Sequence, residues 1–158
     1  MLKRNKLIIS AVKSLILFSI FFGITAYSQP YTNEIKQILE LKDSRSLGKD
    51  NKLMEYLNSE DPDIAFFSAL ALGQMNSDNG SEYLLIAMQE YSGDKEKIML
   101  YTELINSISK IGGENELNHI LKIKSTNDQI NAAIAMAVAR FGMRMIKNDN
   151  SFLKLVEL

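Results

Sequence analysis

The sequence predicts an all-α protein built as a short α-solenoid, a stack of helix–turn–helix repeats. Three observations support this prediction. The 158 residues are 46% apolar and 23% charged, which gives a single domain enough apolar surface for a core without disulfides or metal. Three segments of the chain superimpose without gaps, as the units of a repeat protein do. Apolar residues within each segment follow the 3.6-residue period of a helix.

The three similar segments are residues 61–76 (DPDIAFFSALALGQMN), 97–112 (KIMLYTELINSISKIG) and 127–142 (NDQINAAIAMAVARFG). Four relative positions are apolar in every copy, with Ser68 as the exception. These positions hold Ile64, Ser68, Leu72 and Met75, then Leu100, Leu104, Ile108 and Ile111, then Ile130, Ile134, Val138 and Phe141. The small residues Ala71, Ser107 and Ala137 complete one continuous helix face. Each segment is therefore predicted to be an amphipathic helix.

Local signals predict where these helices start and stop. Asp61-Pro62 predicts the first start, because Asp caps free backbone amides and Pro already has the φ of a first turn. Asn76, Gly112 and Gly142 predict the three ends, because these residues tolerate left-handed φ. Shorter apolar-periodic stretches between the copies predict partner helices. They contain Leu53, Met54 and Leu57, then Leu84, Leu85 and Met88, then Leu117, Ile120 and Leu121.

Two further helices flank the repeats, which span about residues 50–142. An N-terminal helix that covers the first repeat is predicted over about residues 32–42, with Thr32 and Asn33 as capping candidates. A C-terminal helix is predicted over about residues 150–158. Its apolar stripe consists of Phe152, Leu153, Leu155 and Val156. This helix either caps the stack with its apolar side inward or is followed by more chain in the natural gene.

Residues 1–28 resemble a secretory signal peptide, with an apolar stretch over residues 15–26 and small residues Ala26 and Ser28 at the spacing that signal peptidase accepts. The basic residues that precede this stretch are Lys3, Arg4, Lys6 and Lys13. Cleavage after Ser28 would leave residues 29–158 as the repeat domain, without a membrane span. The alternative is an uncleaved anchor, but Lys13 leaves only about a dozen apolar residues, too few to cross a bilayer.

Export to the periplasm or the medium is therefore expected. Lipoprotein anchoring is excluded because the chain has no Cys, which also excludes disulfides and thiolate metal sites. After Lys13, 14 of the 18 Lys and Arg residues remain against 19 Asp and Glu. This net-acidic body argues against nucleic acid as the main partner, since phosphate binding needs clustered basic residues.

No catalytic or metal-binding set is evident. His119 is the single histidine, so a two-histidine metal site is impossible and a surface or capping role is expected. No nucleophile-elbow or phosphate-loop spacing occurs. Aligning Gly80 with the glycine of a helix–loop calcium site places Ile86 at the bidentate position, which cannot bind the ion. No cofactor is predicted, and Glu103 is expected at the margin of the core, reaching solvent or a Lys.

Three short segments carry a family resemblance: Asp61-Pro62-Asp63-Ile64, residues 69–73 (ALALG) and residues 108–112 (ISKIG). In these segments the chain resembles the HEAT-repeat family, specifically its short bacterial repeats. The resemblance covers roughly residues 50–145 and implies a right-handed α-solenoid that binds proteins. The family's usual Arg is replaced by Ala65, Tyr101 and Asn131. If that Arg joins repeats through polar contacts, this stack must rely more on apolar packing.

The outward positions of the second helices are the predicted binding surface, because solenoids use such extended faces for recognition. We call this surface the strip. It consists of Phe66, Leu70 and Gln74, then Thr102, Asn106 and Lys110, then Ala132, Met136 and Arg140. Phe66 and Leu70 form either an apolar anchor for a partner or a contact with the N-terminal helix. Gln74, Lys110 and Arg140 align as a modestly basic row that would suit an acidic peptide.

The function that these features favour is an exported, non-catalytic scaffold that binds a protein or peptide. The alternative is the N-terminal accessory region of a larger secreted enzyme, such as a peptidyl-prolyl isomerase, because HEAT repeats after a signal peptide resemble the front of some such enzymes. A third hypothesis, a small-molecule enzyme with a cleft between repeats, would need a perturbed carboxylate such as Glu103.

Overall fold

A computed structural model describes residues 31–77, 79–91, 95–146, 148 and 150–158. Within these ranges the chain is helical and contains no strand, which confirms the all-α class. The helices are α1 Asn33–Asp43, α2 Lys52–Leu57, α3 Pro62–Met75, α4 Gly80–Glu90, α5 Ile98–Ile111, α6 Glu114–Leu121, α7 Asp128–Met143 and α8 Asn150–Glu157. Short 3₁₀ turns, Lys49–Asn51 and Lys95–Lys97, precede α2 and α5. The signal-peptide prediction for residues 1–28 lies outside the described residues.

The helices of the compact unit Asn33–Leu158 pack in a regular order. Helices α1, α3, α5 and α7 lie side by side, each against the next, and the α3–α5 and α5–α7 contacts are the most extensive. Helix α2 packs on α1 and α3, α4 on α3 and α5, α6 on α5 and α7, and α8 on α6 and α7. Each of the three repeated helices therefore has a shorter helix packed against it.

The three repeated helices run in the same direction. Gly73, near the end of α3, lies so close to Ser107, near the end of α5, that an added Cβ would be 2.5 Å from the Ser107 Cβ. Arg140, near the end of α7, donates to the backbone oxygen of Asn106 in α5 at 3.2 Å. Because equivalent ends meet, α3, α5 and α7 are parallel and nearly in register.

The shared apolar positions form the core, as their period predicts. Leu72, Leu104 and Ile134 in the middle of the three helices are completely buried. Ile64, Ile111 and Ile130 are half-buried because they lie near helix ends. The small residues at the helix contacts, Ala71, Ser107 and Ala137, are buried as well.

Ser68 occupies a core position in spite of its hydroxyl group. The residue is completely buried, and its Oγ donates a hydrogen bond to the backbone oxygen of Leu53 at 2.6 Å. Buried polar groups are tolerated when they are paired in this way. The one polar exception in the repeat therefore joins α3 to α2.

The predicted beginning and end of α3 are confirmed. Asp61 is the N-cap, and its Oδ1 accepts a hydrogen bond from the Asp63 amide at 2.9 Å, with Pro62 as the first helical residue. Asn76 ends the helix in the left-handed region, with φ of 52°. This conformation suits Asn, whose short polar side chain tolerates it.

The predicted end at Gly112 is confirmed in position, since α5 stops at Ile111 and Gly112 is its C-cap, but the expected left-handed φ is wrong. Gly112 has extended backbone, with φ of −67° and ψ of 163°. Glycine is required there for space, because an added Cβ would lie 2.8 Å from the Cβ of Glu116. The predicted end at Gly142 is wrong, because α7 continues to Met143 and the left-handed residue after it is Met145, with φ of 64°.

Candidate functional site

The strip extends over three neighbouring parallel helices, one third of it on each of α3, α5 and α7. None of its nine residues is buried. Gln74, Ala132 and Met136 are exposed, and the other six are half-buried. The structure therefore places all nine predicted positions at least partly on the molecular surface, across helices that pack against each other.

The α3 part of the strip combines a surface with a structural role. Phe66 is half-buried against the core and makes an edge-to-face contact with Phe67, with ring centroids 5.7 Å apart and an interplanar angle of 85°. Leu70, one turn later, is half-buried and Gln74 is exposed. A partner could contact the accessible side of Phe66, but truncating this ring would also disturb the core.

The α5 part of the strip is polar. The Thr102 hydroxyl donates to the backbone oxygen of Met99 at 2.9 Å. Lys110 pairs with Glu103, with 3.4 Å between Nζ and Oε1. Glu103 also accepts a hydrogen bond from the Ser107 hydroxyl at 2.7 Å, and its side chain is only 13% exposed. The expectation that Glu103 lies at the margin of the core and reaches a Lys is confirmed.

The α7 part of the strip is apolar except at its end. Met136 is 56% exposed, and Ala132 beside it is also exposed. Arg140 crosses to α5, where its guanidinium donates to the Ser109 hydroxyl at 2.5 Å as well as to the Asn106 backbone oxygen. The apolar surface at this end is thus directly accessible, whereas the Arg140 side chain is held within the fold.

These contacts change the interpretation of the basic row. The sequence pattern suggested three aligned polar or basic side chains free to meet an acidic peptide. In the structure, Lys110 is ion-paired with Glu103 and Arg140 is bonded to α5. Gln74 is exposed but uncharged. The strip consequently presents two apolar ends and a largely neutralised polar middle.

The sequence pattern missed how the apolar surface of α7 continues beyond the strip. Ala69 and Gly73 of α3 are buried, but the equivalent residues of α7, Ala135 and Ala139, are half-buried and exposed. Met143 is 77% exposed. The periodicity of the three copies is the same, so it could not distinguish this accessible face of α7 from the buried face of α3.

In the part of the chain that the structure describes, no three His, Asp or Glu side chains approach closely enough to hold a metal ion. Among the same residues, each helix is too short or too polar to cross a membrane. Comparison with known family models, curated proteins and solved structures finds no match to this chain. Function must therefore be inferred from the residues themselves.

Proposed function

We propose that this protein is an exported, non-catalytic interaction module of HEAT type, a short right-handed α-solenoid whose strip binds a protein or peptide. The parallel arrangement of α3, α5 and α7 supports the architecture, since each of them has the same stripe buried and a shorter helix packed on it. Stacked units of this kind create extended recognition surfaces. The signal-like pattern of residues 1–28 supports export.

The observation that carries the binding proposal is the accessibility of the strip. The strip contains three equivalent positions from each of three packed helices, and all nine residues reach the surface. Met136 is 56% exposed. Contiguous exposed apolar patches commonly mark interaction sites, and Ala132 and Met136 are exposed one turn apart on α7. A partner with apolar side chains at both ends and a polar segment between them would match Leu70, the α5 residues and Met136.

Charge compensation supports a non-catalytic function. Glu103, a carboxylate at the margin of the core, is already paired with Lys110 and hydrogen-bonded to Ser107. A general base needs a free carboxylate or imidazole within reach of the substrate proton. His119 lies on α6 rather than on the helices of the strip.

The test is affinity capture of partners from cell-envelope extract with matched apolar-to-charged variants. Leu70→Asp and Met136→Asp change the two apolar ends of the strip. Ile86→Asp is the control matched to Met136→Asp, because Ile86 is also an exposed apolar residue, 49% exposed, on α4 outside the strip. We expect the first two variants to lose a partner that the wild type and Ile86→Asp retain, with affinity reduced at least about tenfold for an anchor residue. Equal capture by all four proteins would refute the proposed surface.

A further inference from the structure

A second candidate site lies in a cleft of about 420 Å³ between the end of α4, the start of α5, the end of α6 and the turn that follows α6. Its size falls within the range of small-molecule pockets in proteins. No residue of the strip lines it. The cleft is therefore a separate feature of the surface, and its interpretation does not depend on the proposed function.

Part of the lining of the cleft is apolar. Met88 and Tyr101 are 4% and 5% exposed and form part of the buried core. Ile123 and Ile130 are half-buried and pack against that core. An apolar group that enters the cleft would leave water and contact these side chains, which is favourable in proportion to the area buried.

The rim of the cleft is positively charged. Lys122 and Lys124 line it, together with His119, and no carboxylate is among the lining residues that the structure describes. These three side chains form no ion pair or side-chain hydrogen bond with the described part of the chain. By contrast, Lys52 lies 2.6 Å from Glu55. Two unpaired ammonium groups at one opening are notable in a domain whose acidic residues outnumber its basic ones.

The turn that carries both lysines is held in place by the fold. The Lys122 and Ile123 amides donate to the backbone oxygens of His119 and Ile120 at 3.2 and 3.1 Å, which closes the end of α6. The ammonium of the buried Lys154 donates to the backbone oxygen of Ile123. With Ile123 facing inward, the neighbouring Lys122 and Lys124 are exposed on either side of it.

We propose that this cleft binds a carboxylate attached to an apolar side chain. The ammonium groups of Lys122 and Lys124 neutralise the carboxylate at the rim, and the His119 ring and the Gln89 amide supply hydrogen bonds. The apolar side chain packs on Met88 and Tyr101. Charge-assisted hydrogen bonds to a carboxylate are stronger than neutral ones, so the ionised group determines the orientation of the ligand. This chemistry is shared by the C terminus of a peptide and by small apolar acids.

His119 provides a direct readout, because the chain has one histidine and its ring Hε1 proton gives a single NMR signal. The probe is N-acetyl-L-phenylalanine, titrated into the protein while this signal and the backbone amides of the turn are followed. We expect saturable shifts at both places. The neutral analogue N-acetyl-L-phenylalanine amide and the side-chain-free N-acetylglycine are each expected to bind about tenfold more weakly. Equal binding of acid and amide would overturn the proposal, as would an unchanged His119 signal at saturating probe.

Charge-neutral variants distinguish binding at a defined site from a general effect of the protein's net charge. Lys122→Gln/Lys124→Gln should weaken binding of the acid by about tenfold, the effect of losing two partly exposed charge contacts. The matched control is Lys36→Gln/Lys49→Gln, which removes two other exposed lysines from the same chain. An equal loss of affinity in both double variants would show only a net-charge effect and would contradict a defined site.

The two sources of the ligand are distinguished by chain length. Acetyl-Ala-Ala-Phe with a free carboxylate is compared with N-acetyl-L-phenylalanine under the same conditions. If the natural ligand is a peptide C terminus, the added residues raise the affinity. If it is a small acid, the added residues leave the affinity unchanged or lower it.

Discussion

The close approach of α3 and α5 at Gly73 allows a quantitative test of their packing. A Cβ added to Gly73 would lie 2.5 Å from the Cβ and 2.8 Å from the Cα of Ser107. Ordinary contact begins at 3.4 Å, so α3 and α5 would have to separate by several tenths of an ångström. The contact includes backbone, so no change of side-chain rotamer removes it. Gly73→Ala must therefore displace the helices at their most extensive interface.

The expected magnitude follows from two opposing effects. Overpacking a well-packed core costs about 1–3 kcal/mol. Replacing Gly by Ala within a helix returns about 1 kcal/mol through helix propensity. We expect Gly73→Ala to lower the free energy of unfolding by about 1 kcal/mol, measured by urea denaturation with an unchanged m-value.

Gly142→Ala is the matched control, because Gly142 is also helical but an added Cβ there meets nothing within 4 Å. It should raise the free energy of unfolding, by up to about 1 kcal/mol. Adding Ser107→Gly to Gly73→Ala removes the opposing Cβ but leaves the Cα of residue 107 at 2.8 Å from the added Cβ, so it relieves only part of the clash. The double variant should therefore be more stable than the sum of the single effects predicts, by about 1 kcal/mol. If Gly73→Ala gained as much stability as Gly142→Ala, the close approach of α3 and α5 would be wrong.

Three further predictions concern single side chains. Ser68→Ala should lower the free energy of unfolding by about 1–3 kcal/mol in urea denaturation, because it leaves the buried Leu53 oxygen without its donor; an unchanged midpoint would contradict that contact. Asp61→Ala should cost about 1 kcal/mol through loss of the α3 cap, whereas Asp61→Asn, which retains an acceptor, should cost much less. Burial, and to a smaller extent the charge of Glu90, raises the pKa of Tyr91 in the folded protein above the usual 10.0. The stabilising contribution of Tyr91 is therefore complete below pH 10 and is lost as the pH rises through the pKa of the folded state. Tyr91→Phe should flatten the fall in stability measured above about pH 10, and an identical fall in both proteins would refute this assignment.

The helical repeat was predictable because its signal is local and periodic. One apolar stripe at helical spacing recurs three times, and burying that stripe is the dominant favourable term in folding. The same reasoning placed Ser68 in the core and Asp61 at a cap, both of which the structure confirms. Side-chain exposure along the strip followed from the same periodicity, since its positions are opposite or beside the buried stripe.

Features that depend on the three-dimensional surroundings of particular residues were not predictable. Gly112 is required by the nearby Glu116 side chain, and α7 continues past Gly142 to Met143. The basic row is not free to meet an acidic peptide, because the Arg140 guanidinium is hydrogen-bonded to α5, to residues 31 and 34 positions earlier in the chain. The cleft beside His119 likewise arises only when the turn after α6 meets α4 and α5. Helical periodicity contains no information about such contacts.

If one partner lies across the strip, site-specific photo-crosslinking in intact cells should detect it on both outer helices. A photoreactive residue is placed at Gln74 on α3 or at Ala132 on α7, the two exposed ends of the strip, and at Ile86 on α4 as the control. We expect that Gln74 and Ala132 each capture the same partner and that Ile86 does not. Capture of that partner from Ile86, or of different partners from the two ends, would contradict it.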